Sequence, residues 1–121
     1  MTTKAELYLK ALSDLEKSTG DVISTAIITH DGLIMASTKS DIMHRETFAA
    51  YGAATFKRAD ETIEELTGDN IDTLLYESKT KRVVTVRAGE YALLIVLTGK
   101  NVNIGMVLMN AQNTALKIKE L

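Results

Sequence analysis

The 121-residue chain contains no cysteine and no proline. Without cysteine there can be no disulfide, no thiolate metal site and no cysteine nucleophile, which is consistent with a reducing compartment. The chain also lacks low-complexity stretches and internal repeats, so nothing indicates a linker or a disordered tail. We therefore expect a single domain that spans residues 1–121.

A surplus of charge is also missing, because the formal net charge is -2. Nucleic-acid binding needs basic residues in excess to neutralise phosphates, so we expect no nucleic-acid partner. The longest apolar run, residues 92–97, is far shorter than the ~20 residues of a membrane helix. Residues 1–6 lead directly into a charged amphipathic pattern rather than into a signal peptide. We expect a cytoplasmic protein without membrane insertion.

The chain does contain a regular succession of helix and strand patterns. Apolar residues at helical spacing predict helices, and short β-branched runs bounded by turn residues predict strands. Residues 22–29 and 91–98 are almost continuously apolar, which is typical of strands that are covered on both faces. The predicted elements of this three-layer αββαβββα sandwich are helix 3–18, strands 22–29 and 33–37, helix 44–66, strands 71–77, 82–87 and 91–98, and helix 104–121.

Local signals mark several ends of these elements. Thr3 followed by Glu6 fits a capping box at the start of the first helix. Asp31-Gly32 is a strong hairpin signal, because glycine tolerates the positive φ that such a turn requires. Asn103 is a favourable N-cap for the last helix.

The central helix changes character along its length. Residues 48–54 carry no charge and surround the helix with apolar or small side chains, which indicates burial on all sides. Alanine also tolerates solvent, but an interior glycine costs about 0.5–1 kcal/mol relative to alanine, so Gly52 indicates close packing. We expect one face to lie on the chain's own sheet and another on a partner helix. The residues at helical spacing are Phe48, Gly52, Thr55, Ala59, Ile63 and Leu66.

Four features together resemble the Roadblock/dynein light chain superfamily. They are the order αββαβββα, the string AIITHDGLI at residues 26–34, the Ala/Gly-rich start of the central helix, and Asn103-Ile104-Gly105 before the last helix. The resemblance covers about residues 8–121 and is nearest to prokaryotic single-domain members, including the Mgl-type regulators of a Ras-like GTPase. It implies an α+β, profilin-like Roadblock fold. In that fold a five-stranded antiparallel sheet has one helix on one face and two on the other.

The resemblance also implies a homodimer. In that dimer the central helices pack antiparallel and the third strands pair into one continuous sheet, which covers an edge that would otherwise be prone to aggregation. A charged residue in place of Ala53 is then expected to break the dimer. The implied helical interface is Phe48, Ala49, Ala50, Gly52, Ala53 and Phe56, and the implied strand interface is Ile71, Thr73, Leu74, Leu75 and Tyr76.

The function implied by the resemblance is a non-enzymatic interaction module that regulates or scaffolds a small Ras-like GTPase. The charged second half of the central helix offers Lys57, Arg58 and Glu61 as candidate partner-binding residues. Two alternatives stay open. One is a light-chain-like scaffold subunit of a larger assembly without a GTPase, and the other is a domain that senses a small molecule.

Motifs for catalysis are missing from the sequence. Gly99-Lys100 is followed by Asn101 and lacks the earlier glycine of a phosphate-binding loop. No serine lies in a Gly-x-Ser-x-Gly motif. We therefore expect no catalytic residue and no cofactor.

The two histidines are the only candidates for a metal site. His30 and His44 have Asp31, Asp41 and Glu46 nearby in the sequence. We interpret them instead as a turn histidine and a helix-start histidine in solvent, and we expect no metal.

Overall fold

The computed structural model describes residues 2–38 and 42–121. Within these residues three helices and five strands follow the predicted order αββαβββα. No helix among them combines the length and the hydrophobicity needed to cross a membrane. The elements are α1 (Lys4–Thr19), β1 (Val22–Thr29), β2 (Ile34–Thr38), α2 (Ile42–Thr67), β3 (Thr73–Glu77), β4 (Arg82–Arg87), β5 (Ala92–Thr98) and α3 (Ile104–Lys119).

The five strands form one antiparallel sheet in the order β2-β1-β5-β4-β3. β1 and β5 lie side by side near its middle, and most of their residues are buried. This confirms the prediction from their continuous apolar composition. β2 and β3 are the two edges.

Alternation along the strands divides the core into two layers. Ile27, Val84 and Leu94 pack against α1 and α3. Ile28 and Ile95 point the other way and pack against α2. We call these sides the α1/α3 face and the α2 face. The predicted fold class, with two helices on one face and one on the other, is confirmed.

The two predicted helix N-caps and the predicted β1–β2 turn are present. The Thr3 hydroxyl accepts a hydrogen bond from the Glu6 N–H at 3.2 Å, and the Asn103 side chain accepts one from the Gly105 N–H at 2.7 Å. Gly32 has φ 91°, and a Cβ on it would lie 3.1 Å from the Ala50 Cα. The β1–β2 turn therefore needs glycine twice, for its backbone conformation and for its close approach to α2.

Several element boundaries differ from the prediction by one residue, and the starts of α2 and β3 and the end of α3 differ by two. α2 begins at Ile42, two residues before the predicted start. β3 begins at Thr73 instead of residue 71, because side chains hold Ile71 outside the ladder. The Ile71 N–H donates to Asp60 at 2.8 Å, and its carbonyl accepts from Arg87 at 3.1 Å.

Candidate partner-binding site

The two edge strands differ in how well they could pair with another chain. On β1, the consecutive residues Ile27 and Ile28 pair with residues two apart on β2, so Met35 is an extra residue in that strand. Such a bulge twists an edge and interrupts its ladder, which discourages further pairing. β3 has no bulge and pairs with β4 in unbroken register. β3 is therefore the edge suited to strand pairing.

Alternate residues of β3 turn their backbone polar groups toward the open edge. At the ends of the β3–β4 ladder, the Arg87 N–H donates to the Asp72 carbonyl at 2.8 Å and the Ser78 N–H donates to the Lys81 carbonyl at 2.9 Å. Hydrogen-bonded and non-hydrogen-bonded pairs alternate between these points. It follows that the residues whose N–H and C=O face outward are Thr73, Leu75 and Glu77.

The side of α2 nearest β3 is exposed and partly apolar. Tyr51 is 70% exposed and Leu66 is 75% exposed, and about four helical turns separate them on α2. A groove separates this side of the helix from the strand, and we call it the α2–β3 groove. Among its lining residues are Thr55, Arg58, Thr62, Ile71 and Leu74.

The opposite side of α2 belongs to the protein's own core. Ala49, Ala53 and Phe56 are each at most 4% exposed. A Cβ on Gly52 would collide with the Ile95 side chain of β5. The glycine therefore has the packing role that the sequence predicted, but the element that approaches it is the chain's own sheet and not a second helix.

These positions revise the helical part of the predicted interface. Ala49, Gly52, Ala53 and Phe56 are covered by the chain's own sheet, so they do not lie on a surface that another copy can reach. A charged residue at Ala53 would disturb the core and is no test of dimerisation. Of the remaining predicted helical residues, Phe48 is half-buried and Ala50 is exposed.

The strand part of the predicted interface lies at the β3 edge. Ile71 precedes the strand, and Thr73, Leu74, Leu75 and Tyr76 lie within it. All are half-buried except Tyr76, which is exposed. These residues therefore stay the predicted strand interface.

Sequence reasoning missed the exposed residues of α2 beside β3. The signal was the helical phase: once Ala49, Ala53 and Phe56 are taken as the buried stripe, the residues about half a turn away must face outward. The apolar run at residues 48–54 concealed that phase. The missed residues are Tyr51, Ala54, Thr55 and Thr62.

A polar cluster around Asp60 fixes the start of β3 against α2. Its carboxylate accepts hydrogen bonds from the Ile71 N–H at 2.8 Å and from Asn70 at 3.2 Å. The Arg87 guanidinium lies 3.4 Å from the same carboxylate and 5.2 Å from the centre of the Phe56 ring. The Ile71 N–H lowers the pKa of Asp60 against the opposing effect of burial, and Asn70 and Arg87 lower it further. These contacts of the Asp60 carboxylate therefore fix the shape of the groove.

Tyr76 forms a second connection between β3 and α2. Burial raises the pKa of its phenol, and a hydrogen bond with the Thr55 side chain opposes that rise. Thr55 in turn donates to the Tyr51 carbonyl at 2.7 Å. The exposed face of α2 and the edge strand are therefore parts of one surface.

The candidate charged residues lie on the exposed surface of α2. Lys57, Arg58 and Glu61 are all exposed. Arg58 and Glu61 form an ion pair of 3.9 Å, with side chains 85% and 51% exposed. Ion pairs this exposed contribute little to stability, so both charges are available to a partner.

His30 differs from its predicted solvent position. The residue is half-buried, and its Nε2 atom is shielded from solvent without a hydrogen-bond partner among the described residues. His44 is exposed, as predicted. Within residues 2–38 and 42–121, no group of three His, Asp or Glu side chains could hold a metal ion. Asp41, part of the metal alternative, lies outside the described residues.

The family of the chain follows from comparison with known proteins. Residues 8–98 match the family model of the Roadblock/LC7 domain. The chain belongs to this family. Its membership supports a small protein-interaction module. Two uncharacterised proteins of Methanocaldococcus jannaschii are each 29% identical to the chain over 112 residues, which is 93% of this chain and 96% of theirs.

Solved structures of Roadblock/LC7 proteins have the same fold. MglB in a tetrameric arrangement superposes with a TM-score of 0.90 at 16% identity, covering 99% of this chain and 90% of that one. The gliding protein MglB from Thermus thermophilus gives 0.89 at 17% identity, with 99% and 91% covered. Profilin II of Acanthamoeba castellanii gives 0.61 at 20% identity, with 89% and 95% covered. The profilin-like Roadblock fold implied by the sequence is confirmed.

Proposed function

We propose that the protein is a single-domain, non-enzymatic homodimer that regulates or scaffolds a small Ras-like GTPase in the cytoplasm. The observation that carries the dimer is the open, unbulged edge of β3 beside the exposed side of α2. Two copies can pair β3 with β3 and close the two α2–β3 grooves against each other. An interface built from one repeated patch suits two-fold symmetry.

The proposed interface keeps the predicted strand and changes the helix. On β3 it contains Thr73, Leu74, Leu75 and Tyr76, with Ile71 beside them. On α2 it contains Tyr51, Ala54, Thr55 and Arg58 in place of the residues that face the core. Phe48 is packed partly in the α2 core, and Ala50 lies against the β1–β2 turn, so neither belongs to the proposed interface. Main-chain hydrogen bonds between the two β3 strands fix how the two copies are aligned. The side chains in the groove determine the specificity of the contact.

Light scattering tests the dimer with a matched pair of substitutions. Ala54→Arg places a charged, bulky side chain in the groove, so we expect the mass to fall from two chains to one at micromolar concentration. Ala5→Arg makes the same change at an exposed position of α1, remote from β3, and should leave the mass unchanged. A wild-type monomer, or an Ala54→Arg dimer, contradicts the proposal.

The proposed GTPase partner has separate support. The family resemblance includes Mgl-type regulators. Lys57 and Glu61, with Arg58 at the border of the groove, give α2 an exposed charged surface outside the strand pairing. Charges at the rim of an interface act mainly on the association rate. We expect the dimer to reposition the GTPase's own residues instead of inserting a catalytic side chain.

Binding to a purified Ras-like GTPase from the same genome tests this part. Lys57→Glu changes the charge of this surface by two and should alter the association rate several-fold at low salt while leaving the dimer mass intact. Equal association rates contradict the assigned surface. If the wild-type dimer retains no such GTPase from native lysate but recovers subunits of a larger assembly, the scaffold alternative is correct.

A further inference from the structure

A stripe of exposed apolar residues runs along α3, and its Leu116 end borders β3 and β4. Met106 is 43% exposed, Met109 54% and Leu116 59%. With the exposed Asn113 between them, they follow the a/d spacing of a helical heptad, which forms a seam on one side of a helix. We call these four residues the α3 stripe.

The neighbouring helix α1 shows that a helix on this face of the sheet does not need apolar residues on its exposed side. α1 packs beside α3 on the same face of the sheet. Its exposed surface is largely charged, with a 3.1 Å ion pair between Lys10 and Asp14, and its exposed Leu9 lies beside Leu33 and Ile34 instead. The exposed charged residues of α1 include Glu6, Lys10, Asp14 and Lys17. Flexible methionines on an exposed helix face are typical of surfaces that receive apolar side chains from another protein.

The charges beside the stripe indicate what could cover it. In the heptad frame set by Met106 and Met109, the flanking positions near the end of the helix are Lys117 and Lys119. Both lie in the last turn of α3, where Glu120 follows as the cap residue. The flanking positions toward the start of the helix are uncharged. The flanking positions on α3 itself are therefore basic or neutral, whereas Asp72 and Glu90 of neighbouring loops share a cavity with Leu116 and Lys119.

We propose that the α3 stripe binds an amphipathic helix of another protein, whose apolar seam is flanked by Asp or Glu. The apolar seam would pack on Met106, Met109 and Leu116, and the acidic flanks would face Lys117 and Lys119. Flanking charges select partners in paired helices, and like charges oppose pairing. A parallel second copy of α3 would bring lysines together, which disfavours self-pairing.

This site differs from the proposed dimer interface but adjoins it, because Gln112 of α3 donates to the Thr73 hydroxyl of β3 at 3.5 Å. The α3 stripe lies on the α1/α3 side of the sheet, whereas α2 covers the other side and β3 forms the edge. A dimer could thus bind one protein through α2 and carry another on each α3 helix.

Two synthetic peptides provide the test. Each is a helix of about three heptads with Leu and Ile at the seam; one has Glu at the flanking positions and the other has Lys. Repulsion between flanking residues of like charge keeps each peptide from pairing with another copy of itself. In fluorescence anisotropy we expect the Glu-flanked peptide to bind about fivefold to tenfold more tightly than the Lys-flanked one.

Substitutions at exposed positions then distinguish the contribution of the apolar seam to binding from that of the flanking charges. Met109→Glu and Leu116→Glu should abolish binding while the far-UV circular dichroism stays unchanged. The double variant Lys117→Glu and Lys119→Glu should reverse the preference between the peptides. Lys10→Glu, on the exposed surface of α1, is the control and should leave binding unchanged.

Three results would overturn the proposal. One is that neither peptide binds, and another is that both bind equally well. The third is that the protein alone forms a larger species that Met109→Glu dissolves while the dimer remains, because the occupant of the stripe would then be a second copy.

Discussion

At the scale of single residues, Asp60 and Gly52 determine the geometry of the site without lying on its surface. Asp60 receives the Ile71 N–H and faces the Arg87 guanidinium, so one carboxylate joins α2, the loop before β3 and the end of β4. Gly52 lets α2 approach β5 so closely that no Cβ fits beside Ile95. The first residue positions the strand edge and the second positions the helix.

Replacing Asp60 by alanine should lower the free energy of unfolding at pH 7 by about 1–3 kcal/mol, because the substitution removes charge-assisted hydrogen bonds. The pKa of Asp60 in the folded protein is below its ordinary value of 3.8. Its carboxylate therefore stabilises the fold above that pH, and this contribution is lost as the pH falls through the folded-state pKa. Urea titrations of wild type and variant should converge below about pH 4.

The exposed Glu65 provides the control for that experiment. Glu65→Ala should change the free energy of unfolding at pH 7 by no more than about 0.5 kcal/mol. If the difference between wild type and Asp60→Ala were the same at pH 7 and pH 3, the ionised carboxylate would not be the source of the effect.

Gly52→Ala should destabilise the protein although alanine is the better helix former. The gain in helix propensity is about 0.5–1 kcal/mol, whereas overpacking a buried contact costs about 1–3 kcal/mol. Ile95 is fully buried, so its side chain could make room for the new methyl group only by moving within a packed core. In thermal unfolding, the double variant Gly52→Ala/Ile95→Val should lose less stability than the two single variants lose together. A loss equal to that sum would show that the contact is not the cause.

At the scale of elements, the sequence predicted the parts whose signals are local. The Asp31-Gly32 turn and the Asn103 cap depend on residues a few positions apart, and the structure contains both. The start of β3 was predicted two residues early, because the contacts of Ile71 with Asp60 and Arg87 join segments distant in the sequence.

The phase of α2 could not be read from its composition. With apolar or small residues all around residues 48–54, every direction appeared suitable for burial. Only the packing of Ala49, Ala53 and Phe56 on the sheet decides which side stays open. The sequence therefore predicted a helical interface at residues that the chain's own sheet covers.

β3 allows a prediction based on its alternating backbone. The Thr73 N–H faces the open edge, whereas the Leu74 N–H faces β4. Proline removes an N–H donor, so Thr73→Pro should leave the chain folded and abolish the dimer. Leu74→Pro removes a bond of the β3–β4 ladder and should destabilise the fold itself. Light scattering and circular dichroism together distinguish the outcomes, and a dimeric Thr73→Pro contradicts strand pairing.

At the scale of the whole molecule, folding and association should be coupled in the proposed dimer. A partner that binds only the folded chain raises the unfolding temperature by mass action. We expect the melting temperature of the wild type to rise with protein concentration from micromolar to hundred-micromolar. Calorimetry should show no such rise for Ala54→Arg. A wild-type melting temperature that does not change with protein concentration would mean that the copies do not associate.

The bulge at Met35 has a consequence for how large an assembly can grow. A sheet with two open edges can add a copy at each side and extend into a fibre, whereas a sheet with one open edge is complete after a single pairing. In the proposed dimer the two β3 edges are used up, and the two edges that remain are bulged β2 strands. In the proposed dimer the extra residue thus prevents further copies from pairing with the β2 edges. Deleting Met35 would straighten β2 and turn a closed pair into a building block for filaments.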